Sequence, residues 1–162
     1  MKYDLIIVGG GIGGSALAAV MAKAGWSVLL LEKQAQYEDR VRGEWIAPWG
    51  VAETKRVGLY DLLKSAGGHH ITSHVTYDES LPPDLCEQAA IPLGLLPDIA
   101  GPLCIGHPHH CETLFGEAAR AGATALRPVV IESVTLGGSP SVTYTHEGAT
   151  HTATAPLIVG AE

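Results

Sequence analysis

The chain has 162 residues, of which 46% are hydrophobic, and a formal net charge of −7 with its eight histidines counted as neutral. This length is sufficient for a domain with a sizeable core. The acidic balance argues against nucleic acid and against an anionic membrane surface as partners.

The first 32 residues carry the most informative pattern of the sequence. The predicted elements are a buried strand over 4–8, a helix over 15–22 and a second apolar strand over 26–31. Between the first strand and the helix, Gly9, Gly11 and Gly14 have the spacing G-x-G-x-x-G, and the second strand ends on Glu32. Strand, glycine turn, helix, strand and acid in this order are typical of a dinucleotide-binding unit.

Each of these residues has a predicted physical role. Gly9 permits the tight turn, Gly11 lets the backbone approach a pyrophosphate, and Gly14 lets the helix pack close to the strand. The amino end of the helix offers N–H groups and partial positive charge to the phosphates. Glu32 is placed to accept hydrogen bonds from a ribose 2′-hydroxyl, and its charge would repel a 2′-phosphate, so the nucleotide is predicted not to be NADP.

Beyond Glu32 the pattern is less regular, and the predicted elements are shorter. They are a polar stretch over 33–40, a structured loop over 42–50, a helical region over 51–63, a strand over 74–77, an irregular insertion over 81–102 and a strand over 103–105. A helix over 108–121, a strand over 129–134, a hairpin of 141–146 with 151–155, and a strand over 157–160 complete the chain.

The first apolar run is short and no basic segment precedes it, so neither a signal peptide nor a membrane span is predicted. Cys86, Cys104 and Cys111 are an odd number without C-x-x-C spacing, which indicates reduced thiols and a cytoplasmic location. His109 and His110 would point apart on a helix, so a metal site in this histidine-rich segment is not expected.

The order of motifs resembles the FAD-dependent monooxygenases of the para-hydroxybenzoate hydroxylase type, over nearly the whole chain. Residues 4–32 match that family's FAD fingerprint, Arg42-Gly43-Glu44 is placed like its arginine loop, and a long helix followed by a β-meander leads to 157–162, where the family has V-G-A-D-G. The resemblance implies an α/β fold, a Rossmann-like FAD-binding domain whose parallel sheet carries a β-meander.

The same resemblance implies a domain organisation. The FAD-binding domain would comprise residues 1–72 and 106–162, with part of an inserted substrate domain over 73–105. We expect the chain to stop short of a complete enzyme, and therefore to be inactive as a monooxygenase by itself.

The resemblance further implies FAD as cofactor, reduced by NADH or NADPH, and O₂ as the oxidant of a small, for example aromatic, substrate. The expected FAD-binding residues are Gly9, Gly11, Ile12, Gly13, Gly14, Ser15, Glu32, Lys33, Arg42, His107, Val130, Gly160, Ala161 and Glu162. Two of them depart from the family, since His107 stands where an Arg is usual and Glu162 where an Asp is usual. No residue is predicted to be catalytic, and the oligomeric state stays open.

Several alternatives remain at this point. Arg42 could fork to two phosphate oxygens, with Arg40 as the second candidate. Trp45 and Trp49 could line a flavin or substrate pocket or simply pack in the core. Besides a monooxygenase, the pattern is compatible with a flavin halogenase, a geranylgeranyl-reductase-like enzyme, an NAD-dependent dehydrogenase or a non-catalytic nucleotide-binding protein.

Overall fold

A computed structural model describes residues 1–39 and 44–161. These residues form two compact units, one from the described part of 1–40 and 108–162 and the other from the described part of 41–107. Sequence analysis placed its boundaries after residues 72 and 105, and that domain division stays a prediction.

The helices and strands are numbered along the chain. They are β1 (Leu5–Val8), α1 (Ile12–Lys23), β2 (Val28–Leu31), β3 (Trp45–Ile46), α2 (Pro48–Arg56), α3 (Tyr60–Ser65), β4 (His69–His70), β5 (Ser73–His74), α4 (Pro83–Gln88), β6 (Ile91–Pro92), β7 (Leu103–Cys104), α5 (His107–Arg120), β8 (Thr124–Leu126), β9 (Val130–Thr135), β10 (Ser141–His146), β11 (Ala149–Thr154) and β12 (Leu157–Gly160).

The first unit is built on a four-stranded parallel sheet with the order β12-β1-β2-β8. Strands β1 and β2 are unbroken apolar runs, nearly all of whose side chains are buried, as expected for strands covered on both faces. Helix α1 contacts both strands and buries a face of small residues, including Ala18, Ala19 and Ala22. The predicted α/β fold with a parallel sheet is confirmed.

The other face of this sheet packs against an antiparallel meander of β9, β10 and β11. Ile6 and Leu29 from the parallel sheet share a buried cluster with Val142 and Tyr144 from the meander. The β10–β11 turn lies at the predicted Glu147-Gly148, where both residues have positive φ angles of 50° and 77°. Such angles are required by the tight turns that join twisted hairpin strands.

The second unit contains a small sheet of two-residue strands with the order β3-β7-β4. Cys104 on the central strand pairs with Trp45 on one side and His69 on the other, so these three side chains share one face. The opposite face carries Leu103, which is fully buried. A separate pair of strands, β5 and β6, is antiparallel.

The structure corrects several sequence-based predictions in the second unit. The helical region predicted over 51–63 is two helices, because Gly58 has a φ of 71° and interrupts it. The segment over 81–102, predicted to be irregular, contains α4 and β6. The strand predicted over 74–77 is only the two residues of β5.

Among the described residues, no helix combines the length and the apolar character that crossing a membrane requires.

A buried carboxylate joins the two long helices of the first unit. Glu117 on α5 is 3% exposed, and its Oε1 lies 2.6 Å from Nζ of Lys23 at the end of α1. Its other oxygen accepts a hydrogen bond from Arg120 one turn later. A carboxylate this deeply buried is stable only when it is paired and hydrogen-bonded, so the two cations hold the charge in place.

We predict that Glu117→Gln destabilises the protein by about 1–3 kcal/mol, because it replaces two charge-assisted contacts at a buried position. The matched control is Glu53→Gln, which breaks an ion pair with Arg56 whose side chains are 61% and 71% exposed. The control should cost markedly less, because water screens the exposed pair. Urea unfolding of both variants measures the two losses of stability. Equal losses would contradict the stabilising role given to the buried carboxylate of Glu117.

Candidate functional site

The glycine turn joins the carboxyl end of β1 to the amino end of α1. Gly9 has a φ of 110°, which favours glycine. A Cβ at Gly14 would overlap the carbonyl oxygen of Gly9, and a Cβ at Gly10 would lie 2.7 Å from Cβ of Glu32. A Cβ at Gly11 would have no atom of residues 1–39 or 44–161 within 4 Å. Neighbouring protein atoms therefore leave no room for a side chain at Gly10 or Gly14, whereas the space at Gly11 is open among the described residues.

Glu32 lies beside this turn, at the end of β2, and is 6% exposed. The backbone N–H of Gly10 donates to its Oε2 at 2.6 Å, and the N–H of Gln34 donates to its Oε1 at 2.7 Å. Each carboxylate oxygen can accept a further hydrogen bond, so the side chain is held in place and still able to accept from a ribose hydroxyl. This geometry is compatible with the role predicted for Glu32.

The amino end of α1 begins at this turn and is open to a ligand. Gly11 caps the helix, and within the described part of the chain no side chain bonds to this cap and no acid lies in the first turn. Ile12 and Gly13 are exposed, and Gly14 and Ser15 are buried. The unpaired N–H groups and the helix dipole favour an anion here.

The carbonyl group of Gly10 receives two side-chain hydrogen bonds. Ser15 Oγ donates to it at 2.6 Å and the Tyr37 hydroxyl donates to it at 2.5 Å. Burial and the charge of Glu32 raise the pKa of Tyr37 far above its ordinary value, so the phenol stays protonated and remains a donor. Sequence analysis did not identify Tyr37, which lies in the stretch predicted only as polar.

Arg127 holds the ring of Tyr37 in place. Its guanidinium lies 5.1 Å from the ring centroid of Tyr37 and 4.8 Å from that of Phe115. Both of its terminal nitrogens donate to the carboxylate of Glu112, at 2.7 and 2.5 Å. Hydrogen bonds within this pair raise the pKa of Arg127 and lower that of Glu112. Neither residue was predicted from the sequence, because each acts through partners distant along the chain.

The end of β12 reaches the same edge of the sheet. Gly160 pairs with Val8, and the N–H of Ala161 donates to the carbonyl oxygen of Val8 at 2.7 Å. The Ala161 methyl group would lie 3.1 Å from a Cβ at Gly14. The structure thus brings Gly160 and Ala161 to the glycine turn.

The structure also gives the positions of three further predicted site residues, which are Val130, Lys33 and His107. The N–H of Val129 donates to the main-chain oxygen of Glu32 at 2.9 Å, which places the exposed Val130 beside the end of β2. Lys33 is exposed. His107 begins α5, and its N–H donates to Oε1 of Glu44 at 3.4 Å.

Some predicted site residues fall outside the described part of the chain. These are Arg42, its alternative Arg40, and Glu162. Their roles toward FAD stay predictions, like the cofactor contacts expected of all the residues named above.

The second unit has a cavity of about 720 Å³. It is lined by Glu44, Trp45, His69, Ile71, His74, Leu93, Cys104, Ile105 and Gly106. The face of the small sheet that carries Trp45, Cys104 and His69 forms part of its wall. Burial and the nearby Glu44 raise the pKa of the Cys104 thiol, so it is a neutral group in this wall. The lining is mainly apolar with a few polar groups, which is typical of a small-molecule pocket.

The histidine-rich segment at the start of α5 has the predicted divergence. His109 is exposed and His110 is buried, so the two adjacent rings face different surroundings. Across residues 1–39 and 44–161, no group of three or more histidine, cysteine, aspartate or glutamate side chains is arranged to hold a metal ion.

Comparison with known proteins gives a match for nearly the whole chain. Residues 2–162 match the family described as FAD binding domain. A segment of 75 residues is 37% identical to squalene monooxygenase of Rattus norvegicus, covering 46% of this chain and 13% of that protein.

Two solved structures illustrate the fold similarity. The myxobacterial chondrochloren halogenase CndH, a variant of FAD-dependent halogenases, has a TM-score of 0.79 and 28% identity, covering 99% of this chain and 37% of that one. The p-nitrophenol 4-monooxygenase PnpA of Pseudomonas putida has a TM-score of 0.84 and 16% identity, covering 99% of this chain and 41% of that one. This chain therefore spans less than half the length of each of these proteins.

The glycines of the turn should respond differently to the same substitution. Gly14→Ala should destabilise the protein with or without ligand, because the new Cβ overlaps the Gly9 carbonyl oxygen. Gly11→Ala should leave the melting temperature within about 2 °C, because its Cβ enters open space, and the larger Gly11→Val should abolish FAD retention. Thermal unfolding and FAD titration measure both effects. Full FAD affinity in Gly11→Val would show that the phosphate site is elsewhere.

Stability should depend on Glu112 at acid pH. Its pKa is lower in the folded protein than in the unfolded chain, mainly through the hydrogen bonds from Arg127. Its stabilising contribution is therefore complete above the ordinary carboxyl pKa of about 4.3 and is lost as pH falls through the lower folded value. Between about pH 5 and 3, Glu112→Gln should lose stability less steeply than the unaltered protein. Urea unfolding at several pH values measures the slopes, and equal slopes for Glu112→Gln and the unaltered protein would contradict this role of Glu112.

Proposed function

Because the chain belongs to the FAD binding domain family, we propose that it holds the adenosine and pyrophosphate portions of FAD at the glycine turn, within a flavin-dependent monooxygenase. The observation that carries this proposal is the turn itself. Among the described residues, its Gly11 faces open space at the amino end of α1 and no side chain bonds to the helix cap, while the fixed carboxylate of Glu32 lies alongside.

The chemistry of the described residues supports the proposal that they bind a dinucleotide. The N–H groups at the start of α1 suit the pyrophosphate, and the carboxylate of Glu32 suits the hydroxyls of the adenosine ribose. Gly160 and Ala161 approach the same turn and would border the cofactor. When bound, FAD supplies the redox chemistry, while the protein contributes binding, orientation and exclusion of water.

The proposed reaction is the hydroxylation of a small substrate with NADH or NADPH and O₂. The cavity of the second unit supports a compact, largely apolar substrate, since Trp45, Ile71 and Ile105 line it. Glu44, His69 and His74 in the same lining could orient a polar group of that substrate. A hydroxylated aromatic compound combines both properties.

A flavin halogenase is the second candidate, favoured by the 28% identity to CndH over 99% of this chain. Product analysis separates the two. For the whole enzyme to which this chain is proposed to contribute, supplied with FAD, NADH or NADPH, O₂ and a panel of phenols, the monooxygenase proposal requires oxygenated products whether or not bromide is present. The halogenase proposal requires brominated products that appear only with bromide.

The nucleotide specificity gives the direct test of the proposed binding site. The purified protein should bind FAD, and ADP should displace it. An ADP analogue with an added phosphate on its ribose 2′-oxygen should compete at least about tenfold less well, because the Glu32 carboxylate repels the added charge. Fluorescence titration of FAD with each competitor provides the measurement.

Glu32→Gln is the matched variant for this experiment, since it removes the charge and keeps the shape of the side chain. It should narrow the difference between the two competitors. If the unaltered protein binds no FAD, or if both competitors are equally effective, the proposed site is wrong.

A further inference from the structure

Two side-chain hydrogen bonds hold the peptide that links Gly10 to Gly11. Its carbonyl oxygen, on Gly10, accepts from Ser15 Oγ at 2.6 Å and from the Tyr37 hydroxyl at 2.5 Å. A carbonyl oxygen has two lone pairs, so these two donors satisfy it. The preceding N–H, also on Gly10, is bound to Oε2 of Glu32 at 2.6 Å. Two side chains, Ser15 and Tyr37, therefore hold the carbonyl of this peptide, and Glu32 holds the N–H of the peptide before it.

Fixing the carbonyl also fixes the N–H on the other side of the same peptide bond. In a planar trans peptide the C=O and the following N–H point in opposite directions. The two hydroxyl groups that bind the Gly10 carbonyl therefore direct the N–H of Gly11 away from themselves. An added Cβ at Gly11 would meet no atom of the described residues within 4 Å, so the space beside this N–H is open among them.

The Tyr37 hydroxyl is itself held by contacts on its ring. Arg127 lies over the ring at 5.1 Å, Phe115 meets it edge-on with centroids 6.4 Å apart, and Glu112 binds the guanidinium with both oxygens. We refer to Glu112 and Arg127 as the clamp. Phe115 is 8% exposed, so the Tyr37 ring and the Arg127 guanidinium both contact a buried side chain.

We propose that Tyr37 is a positioning residue for the pyrophosphate of the bound dinucleotide, acting by orienting the Gly10–Gly11 peptide so that the Gly11 N–H donates to a phosphate oxygen. The clamp keeps Tyr37 in the position that this requires. The inference rests on the proposed function for the identity of the ligand. It adds residues outside the glycine motif to the determinants of phosphate binding.

The first experiment compares ligands with and without phosphates. Tyr37→Phe removes the hydroxyl and keeps the ring over which Arg127 lies. Its dissociation constants for FAD and ADP should rise about tenfold, the effect of one hydrogen bond, while that for adenosine changes less than about twofold. Tyr3→Phe, the same substitution elsewhere in the first unit, should change none of the three. Equal weakening of ADP and adenosine by Tyr37→Phe would reduce Tyr37 to a structural residue and overturn the inference.

A double-mutant cycle tests the clamp. Arg127→Gln should weaken ADP binding in the same direction as Tyr37→Phe, because the ring is no longer held. In the double variant the two effects should not add, since holding the ring is without consequence once the hydroxyl is gone. Additive effects would show that Arg127 acts on the ligand independently of Tyr37, and would overturn the role given to the clamp.

A measurement without ligand separates this inference from the proposed function. In the ligand-free protein, Tyr37→Phe should change the residual dipolar coupling of the Gly11 N–H and reduce the hydrogen-exchange protection of the Gly10 N–H. Unchanged values would overturn the inference even if FAD binds. If the unaltered protein binds neither FAD nor ADP, the proposed function fails, and the coupling still decides whether Tyr37 orients the peptide.

Discussion

The close approach of α1 to the end of β1 is the constraint on which the first unit depends. There is no room for a side chain at Gly14, since a Cβ would overlap the Gly9 carbonyl oxygen. With the helix this close, Ser15 reaches the carbonyl of Gly10, and Ala161 can lie against the same turn. The amino end of the helix is thereby held at the carboxyl edge of the parallel sheet, where ligands of such sheets bind.

The parts of the fold that the sequence predicts well are those specified by local pattern. β1 and β2 are apolar runs of four residues each, and the hairpin of β10 and β11 alternates around a turn whose two residues have positive φ. The small strands of the second unit could not be predicted in this way. Trp45 and His69 are strand residues only because Cys104, far away in the chain, lies between them. Two residues are too few for any periodicity to be visible.

The residues of the candidate site likewise divide into those that a local sequence pattern predicts and those that it does not. Gly9, Gly11, Gly14 and Glu32 follow from one motif, whose spacing reflects contacts within a single strand–helix–strand unit. Tyr37, Arg127 and Glu112 were missed because their contacts join residues that lie 12 or more positions apart in sequence. A tyrosine in a polar stretch has no feature that distinguishes a surface residue from one whose hydroxyl binds the backbone of the turn. Only the three-dimensional structure shows which it is.

Gly10, Gly11 and Gly14 differ in how closely protein atoms surround them. This difference affects which substitutions related sequences can accept at each position. Gly10 and Gly14 are enclosed by protein atoms, so selection for folding alone is sufficient to retain them. The described residues exert no such steric pressure on Gly11. A descendant that has stopped using a nucleotide could therefore keep most of the motif and a normal fold while accumulating larger residues at position 11. Among the three glycines of the G-x-G-x-x-G spacing, position 11 is therefore the one at which we expect a turn retained for its ligand to differ from one retained for its architecture.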